Sequence, residues 1–500
     1  MSKKHIAVFL SLSILLCALC ACSSNEPLQN SNTHKLVSET TAVAQTDTSG
    51  FKLSYSQSDS LNPFESDTLN NQVMQNLVFD SLFVLDESGE VQPQIATSYE
   101  YSDSKTLTVT ISSGNMFSDG SELEAENVVY SFNQAKQSPH WGNSLKAISG
   151  ASSVSSTVIN FYLSHSNPNA HKLLTFAIAK SNTDKNGYPI GSGRYKFSEG
   201  NGMVYLKVNK YKADFEPRFT KIPLVNITSS ESIDNAINIG NISYAFRDLS
   251  TGSSTKMHCN KKAVNLNNLV YIGINNSSGI TSNEHIRKAI SLAVDRDALV
   301  KSAYQGYAKS ASSVFTPVSS IGKQTSVFNK TADISAAKQA VAQSGYDEKN
   351  LKIDILTNEN SNRLAAARMI KQQLEAVGFK VTINKEKNKT YSYKVRNRVF
   401  NIYIGETRIP ADMSLNSFFT SGGATHYGIN TDKSKTAKAY RGYLNSDNEI
   451  GSFILSFTEE TPFVPLLYRQ GMICYSKSLH GDMQGYVDNY FSNIQDWYYN

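Results

Sequence analysis

The chain has 500 residues, of which 40% are hydrophobic, with 48 Lys and Arg against 43 Asp and Glu. A formal net charge of +5 is weak for that length and argues against a nucleic-acid binder. Five cysteines in so long a chain exclude a disulfide-built scaffold.

The N-terminus reads as an export signal. Lys3 and Lys4 precede an apolar stretch, Ile6 to Cys20, broken only by Ser11 and Ser13. That stretch is short for a membrane span and right for a signal-peptide core. It ends in Leu19-Cys20-Ala21-Cys22. This resembles the bacterial lipobox, which implies cleavage before Cys22 and acylation of its thiol. Each buried methylene of an acyl chain contributes about 0.8 kcal/mol to anchoring. Removing residues 1–21 takes away two lysines and no acid, so the net charge falls from +5 to +3. Cys259 and Cys474 are then left as one disulfide or as two thiols. No later run reaches the length of a membrane span. The roughly 450 residues from Phe51 onward exceed one hydrophobic core, so two or three domains are expected.

Residues 22–50 are rich in Ser, Thr, Asn and Gln and poor in large apolar side chains. Such a stretch reads as a disordered tether, with an extended reach on the order of 90 Å. From Phe51 the texture changes. Phe51 to Tyr55 alternates as a strand does. Asn70 to Leu85 carries a helical or mixed apolar face, and Leu107 to Ile111 alternates again. Glu124 to Ala135 reads as a helix with Val128, Val129 and Phe132 on one side. Val154 to Leu163 is β-branched and strand-like. Thr281-Ser282-Asn283-Glu284 reads as a capping box before a helix whose stripe is Ile286, Ala289, Ile290, Ala293 and Val294. Ser335 to Ser344 is a helix stopped by Gly345. Leu351–Leu356 is a strand, Leu364–Val377 a helix ending at Gly378, and Val381–Ile383 the next strand. That sequence is a βαβ unit and predicts a parallel or mixed sheet.

Several runs, in order, resemble solute-binding protein family 5, the oligopeptide-, dipeptide- and nickel-binding proteins of ABC importers. They are Ser58 to Pro63, Leu77 to Leu82, Pro93 to Tyr99, and Phe117-Ser118-Asp119-Gly120-Ser121 followed by Ala125 to Phe132. Gly191-Ser192-Gly193-Arg194-Tyr195, Val208 to Tyr211, Ile286 to Ile290, Ala293 to Asp297 and Gly306-Tyr307-Ala308 continue the pattern. The resemblance runs from about Leu53 to Tyr475. It implies an α/β, two-lobed clamshell of the periplasmic-binding-protein type (type II), with mixed sheets and a hinge of two crossing strands. Lobe I is placed at 51–267 plus 479–500, with an inserted subdomain at about 90–185, and lobe II at 268–478. The crossings are expected near Leu269 to Asn275 and Ile473 to Ser478.

The implied function is capture of short peptides by a monomer and delivery to a two-subunit ABC permease with ATPase subunits. No cofactor, resident metal or nucleic acid is expected. The implied location is the outer face of the cytoplasmic membrane. A buried peptide needs a carboxylate for its ammonium and main-chain partners for its amides. Family members that bind peptides place an Asp a few residues before a Pro in the second lobe. Here Glu406 stands four residues before Pro410, without the usual aromatic companions, and Asp412 is the rival carboxylate. Arg408 suits a ligand carboxylate by its fork geometry, or neutralises Glu406. Ser60, Leu61 and Asn62 form a loop expected to face the cleft, or a simple turn. Trp141 is expected at the cleft mouth or packed on the surface, Tyr271 and Asn275 at the hinge, serving the backbone before the ligand, and Tyr427 at a wall.

Other chemistries fit less well. Ser102 to Lys105 and Ser253 to Lys256 match S-x-x-K, and Ser446-Asp447-Asn448 matches S-D-N, but Lys435-Thr436-Ala437 lacks the Gly of K-T-G and precedes S-D-N. Nine scattered histidines form no pair at metal-ligand spacing. Nickel-chelate binding and peptide sensing remain alternatives on the same fold.

Overall fold

A computed structural model describes residues 50–251, 257–445 and 449–500, with the backbone alone at Ser230. Cys22, nearly all of the 22–50 segment, and the Ser253–Lys256 and Ser446–Asn448 matches lie outside the described residues.

Eleven strands form one sheet. In chain order they are β1 (Leu53–Tyr55), β2 (Tyr195–Gly200), β3 (Met203–Val208), β4 (Lys221–Asn226), β5 (Tyr244–Arg247), β6 (Asn260–Ile274), β7 (Ala308–Ser310), β8 (Lys352–Asn358), β9 (Lys380–Glu386), β10 (Ile402–Arg408) and β11 (Phe463–Tyr475). Their spatial order is β2-β3-β4-β1-β5-β11-β6-β10-β8-β9, with β7 on β11. The two long strands β6 and β11 pair antiparallel along their length, and their register slips between Asn265 and Asn268, opposite Gln470 and Arg469. Before the slip, Val264 and Leu266 pack with Phe51, Leu77, Ile473 and Trp497. Beyond it, Val270 and Ile272 pack with Ile286, Ile370, Val464 and Leu466. One sheet thus feeds two cores, and the bulge that separates them loosens the ladder and raises the local twist.

The first lobe carries an antiparallel four-stranded sheet with Ala96–Asp103, Thr106–Ile111, Val158–Leu163 and Ile148–Ser153 in that spatial order. Leu107, Val109 and Ile111 are its buried alternation. They pack with the helix Ala125–Ala135, which buries Val128 and Phe132. Asn127 closes that helix's start, accepting from the Glu124 N–H at 2.9 Å. The helix expected from Asn70 ends at Val78, and Phe83–Leu85 is a strand. Its end meets Gly191 and Gly193. The Gly193 N–H donates to the Val78 carbonyl at 2.9 Å, and a Cβ on Gly193 would lie 2.5 Å from the Val78 carbonyl carbon. Close approach of two backbones explains both glycines of the Gly-Ser-Gly run.

Helix Glu284–Ala293 forms as expected, with a different cap. Asn283 is the N-cap, accepting from His285 and Ile286 N–H groups, while the Thr281 hydroxyl donates to the Asn275 carbonyl at 2.7 Å. The chain makes a 3-10 turn over Ile280–Ser282, so Thr281 lies too early to reach the helix's free N–H groups. Strand β8, helix Ser361–Glu375 and β9 form the expected βαβ unit, with β8 and β9 parallel over seven residue pairs. Cys259 and Cys474 are free thiols, packed in one cluster with Ile227 and Met472.

Candidate functional site

Alternation along β10 builds the site. Tyr403 faces the aromatic core of the second lobe, and Ile402 and Ile404 face its helices. Period two carries Glu406 and Arg408 on the Ile404 face, past the core and toward the register slip. Arg408 is opposite Asn268, and Glu406 is opposite Val270.

The Glu406 carboxylate accepts from Arg469 Nε at 2.8 Å and from Asn268 Nδ2 at 3.1 Å. Arg469 comes from β11, with a side chain only 3% exposed, and its Nη2 donates to Asp248 Oδ1 at 2.9 Å. Its Nη1 also donates to the Asp248 carbonyl. Burial opposes the Arg469 charge, but Glu406 and Asp248 outweigh burial and hold the guanidinium above its ordinary pKa. One guanidinium therefore serves two carboxylates. Tyr304 Oη and Arg363 Nε are buried without a hydrogen-bond partner among the described residues. Burial pushes the Tyr304 hydroxyl up, and the charges of Glu406, Arg363 and Arg469 all reach it.

Arg408 joins the lobes. Its Nη2 lies 2.5 Å from Asp488 Oδ2 in the C-terminal segment, and its side chain remains 45% exposed. Asp488 also lies 3.7 Å from His140 Nε2. Burial alone would raise the Asp488 carboxyl, but Arg408 and His140 hold it below the usual range. Burial pushes the His140 imidazole down against the pull of Asp488. The His140 ring stands edge-on to Trp141, whose indole meets Phe64 at 6.1 Å between centroids. Trp141, His140, Gln75, Asn76, Asp488 and Tyr490 line a cavity of about 40 Å³, room for a few waters. Gln75 Nε2, Asn76 Oδ1 and Trp141 Nε1 are buried there without hydrogen-bond partners among the described residues.

Asp412 closes a second polar bridge. Asn167 Nδ2 donates to its Oδ2 at 2.7 Å and the Ser414 N–H to its Oδ1 at 3.0 Å. Burial raises the Asp412 pKa despite both bonds. Asn416 Nδ2 lies 3.3 Å from His165 Nε2 alongside. Two adjoining cavities of about 320 and 560 Å³ share Glu87, Asn265 and Val318. The C-terminal residues Gln484 and Tyr486 line the smaller, and Lys309, Lys323 and Lys330 the larger. Both volumes fall within the range of small-molecule pockets.

Of the residues expected at the site, Glu406, Arg408, Asp412 and Trp141 are brought to the boundary between the lobes. Ser60, Leu61 and Asn62 form a turn. The Ser60 hydroxyl donates to Glu65 at 3.0 Å, Asn62 Oδ1 accepts from the Phe64 N–H at 3.0 Å, and Leu61 packs on the first core. The turn reaches the site through Phe64. Tyr271, Asn275 and Tyr427 are not brought there. Strand alternation turns Tyr271 to the opposite face from Glu406, into rings of Tyr403, Phe418 and Phe463. Asn275 Nδ2 donates to the Arg398 and Phe400 carbonyls, and Tyr427 packs against the aromatic core. Sequence reasoning missed Arg469, Asp248, Asp488, His140, Tyr304 and Arg363. One signal was present, since Arg469 follows the apolar run Phe463–Tyr468, where a charge needs buried partners. Among the described residues, no group of three or more His, Cys, Asp or Glu is arranged to hold a metal ion.

Residues 90–427 match the bacterial extracellular solute-binding proteins, family 5 Middle. The chain belongs to this family. It is 24% identical over 345 residues to the glutathione-binding protein GsiB of Escherichia coli K12, a match covering 65% of this chain and 66% of GsiB. The chain thus matches just under two thirds of the length of that relative. The fold is that of the ABC transporter substrate-binding protein CtaP of Listeria monocytogenes, at a TM-score of 0.71 and 21% identity, covering 89% of this chain and 98% of CtaP. It is also that of NikZ from Campylobacter jejuni, crystallised with Ni(L-His), at a TM-score of 0.61 and 17% identity, covering 90% of this chain and 99% of NikZ. The two-lobed architecture read from the sequence is the architecture observed. No helix among the described residues is long and apolar enough to cross a membrane.

Proposed function

We propose that this family 5 protein captures short peptides between its lobes and delivers them, as a monomer, to a two-subunit ABC permease with ATPase subunits. It works from the outer face of the cytoplasmic membrane, held there by acyl chains on Cys22. The observation that carries the peptide reading is the sharing of Arg469 by Glu406 and Asp248. Two carboxylates on one guanidinium offer acceptor oxygens to a peptide ammonium, and Tyr304 Oη and Arg363 Nε, without a hydrogen-bond partner among the described residues, suit its carbonyls or carboxylate. Arg408 and Asp488 pair across the lobes, and opening that pair would free them for the two ends of a zwitterion. The register slip at Asn265–Asn268 serves as hinge, so a few residues absorb the motion. Ligand favours closure only by binding the closed form more tightly.

GsiB supports a peptide ligand, since glutathione is a tripeptide. NikZ carries a nickel chelate on the same fold, and its carboxylates would call on the same arginines. The test is thermal shift of the secreted chain with pools of peptides two to eight residues long, N-acetylated copies, and nickel–histidine. Ligand at 100 times its Kd adds about 2.7 kcal/mol of stability. A rise with free peptides that is lost on acetylation is expected. A rise with nickel–histidine alone would overturn the peptide reading and keep the fold.

A further inference from the structure

Charge is not spread evenly over this chain. Between Lys380 and Arg398 stand seven lysines and arginines, at 380, 385, 387, 389, 394, 396 and 398, and one acid, Glu386. The segment carries +6 against +5 for the full chain, so everything else sums to −1. It folds as β9, the last strand at one end of the large sheet, and the helix Asn388–Arg396. The helix is pinned by buried Val395 and by the Tyr391 hydroxyl, which donates to the Ile404 carbonyl at 2.7 Å. Among the described residues only Lys394 of the seven is paired with an acid, Glu386, and the other six are exposed. Arg398 sits at φ 58°, in the left-handed region, and the next residue, Val399, is 54% exposed. Tyr393 is 63% exposed on the same helix.

Lysines on an edge strand guard against pairing with another sheet. That accounts for Lys380 and Lys385. It does not account for Lys387, Lys389, Arg396 and Arg398, which stand outside the strand with exposed Tyr393 and Val399 among them. Six unpaired cations with an amphipathic ring and an apolar side chain form the composition that settles on a charged lipid–water interface. We propose that this edge of the second lobe docks on anionic phospholipid headgroups. Docking would hold the protein beside the membrane through its folded part, separately from any acyl chain and from ligand capture.

The test is co-sedimentation of the secreted chain carrying Cys22→Ser, which removes the acylated thiol, with phosphatidylcholine vesicles with and without phosphatidylglycerol. Wild-type sequence should partition onto the anionic vesicles and lose binding as salt rises past the screening range. The triple variant Lys385→Glu, Lys387→Glu, Lys389→Glu should bind roughly tenfold more weakly or worse at low salt. Its melting temperature reports that it is folded, and the milder Tyr393→Ser should weaken partition without changing the salt slope. Equal partition of wild type and both variants would overturn the proposal. So would retention on a soluble polyanion, such as polyphosphate, with no partition onto the anionic vesicles.

Discussion

Arg469 stands between two carboxylates at the boundary. It is 3% exposed and holds Glu406 at 2.8 Å and Asp248 at 2.9 Å. Removing it leaves two carboxylates facing each other. Arg469→Met is therefore expected to lower the unfolding free energy by about 3 kcal/mol or more in urea denaturation. Glu406→Gln should cost less, because Asp248 still pairs Arg469, while reducing the thermal response to free peptides. Asp412 makes a pH prediction. Burial raises its folded pKa above its ordinary carboxylate value. The folded state then binds the proton more tightly than the unfolded state, so this contribution to stability falls as pH rises from about 4 through the folded pKa. Asp412→Asn should remove that decline from the stability–pH curve. The hydrogen bond with Cys474, on β11, pulls the Cys259 thiol down to about 7, while the same bond, and then burial, push Cys474 up. Iodoacetamide at pH 7.5 should label Cys259 first. Equal labelling of both, or of neither in reduced protein, would contradict this environment.

At the scale of elements, β6 and β10 interlock through two glycine–tyrosine pairs. Gly273 is opposite Tyr403 and Gly405 is opposite Tyr271. Each ring lies over the partner strand's glycine, so a Cβ on Gly273 would come within 2.1 Å of Tyr403 and one on Gly405 within 2.5 Å of Tyr271. The two hydroxyls meet at 3.1 Å. Gly405→Ala should destabilise by roughly 1–3 kcal/mol through overpacking. Adding Tyr271→Leu should recover part of the loss in melting temperature, because the ring that clashes is gone. No recovery would place the strain in the backbone instead.

At the scale of the molecule, the lobes share two long strands and touch through polar contacts. Arg408–Asp488 is partly exposed and Asn167–Asp412 is a single buried bond. An exposed ion pair contributes only about 0–1 kcal/mol. Closure that keeps the Arg469–Asp248 pair and trades only these two contacts costs the ligand little. Small-angle scattering should show a smaller radius of gyration with a peptide that raises the melting temperature. An unchanged radius would speak against hinge closure at the Asn265–Asn268 slip.

The amino-acid sequence by itself determined the local and the ordered features. Period-two alternation announced Thr106–Ile111 and β8, and the helical stripe announced Glu284–Ala293, because burial of one face acts over a few neighbouring residues. The order of the family runs, from Leu53 to Tyr475, announced two lobes. It also offered Glu406, Arg408, Asp412 and Trp141, since charged residues near a strand end and a lone loop tryptophan are visible in one dimension. What only the tertiary structure decided is who meets whom. Arg469 and Asp248 are 221 positions apart, and Arg408 and Asp488 are 80 apart. No spacing rule links such residues, because their approach is set by strand order and by the slip between β6 and β11. Strand alternation on the paired β6 and β10 sends Tyr271 into an aromatic core while sending Glu406 to the boundary between the lobes.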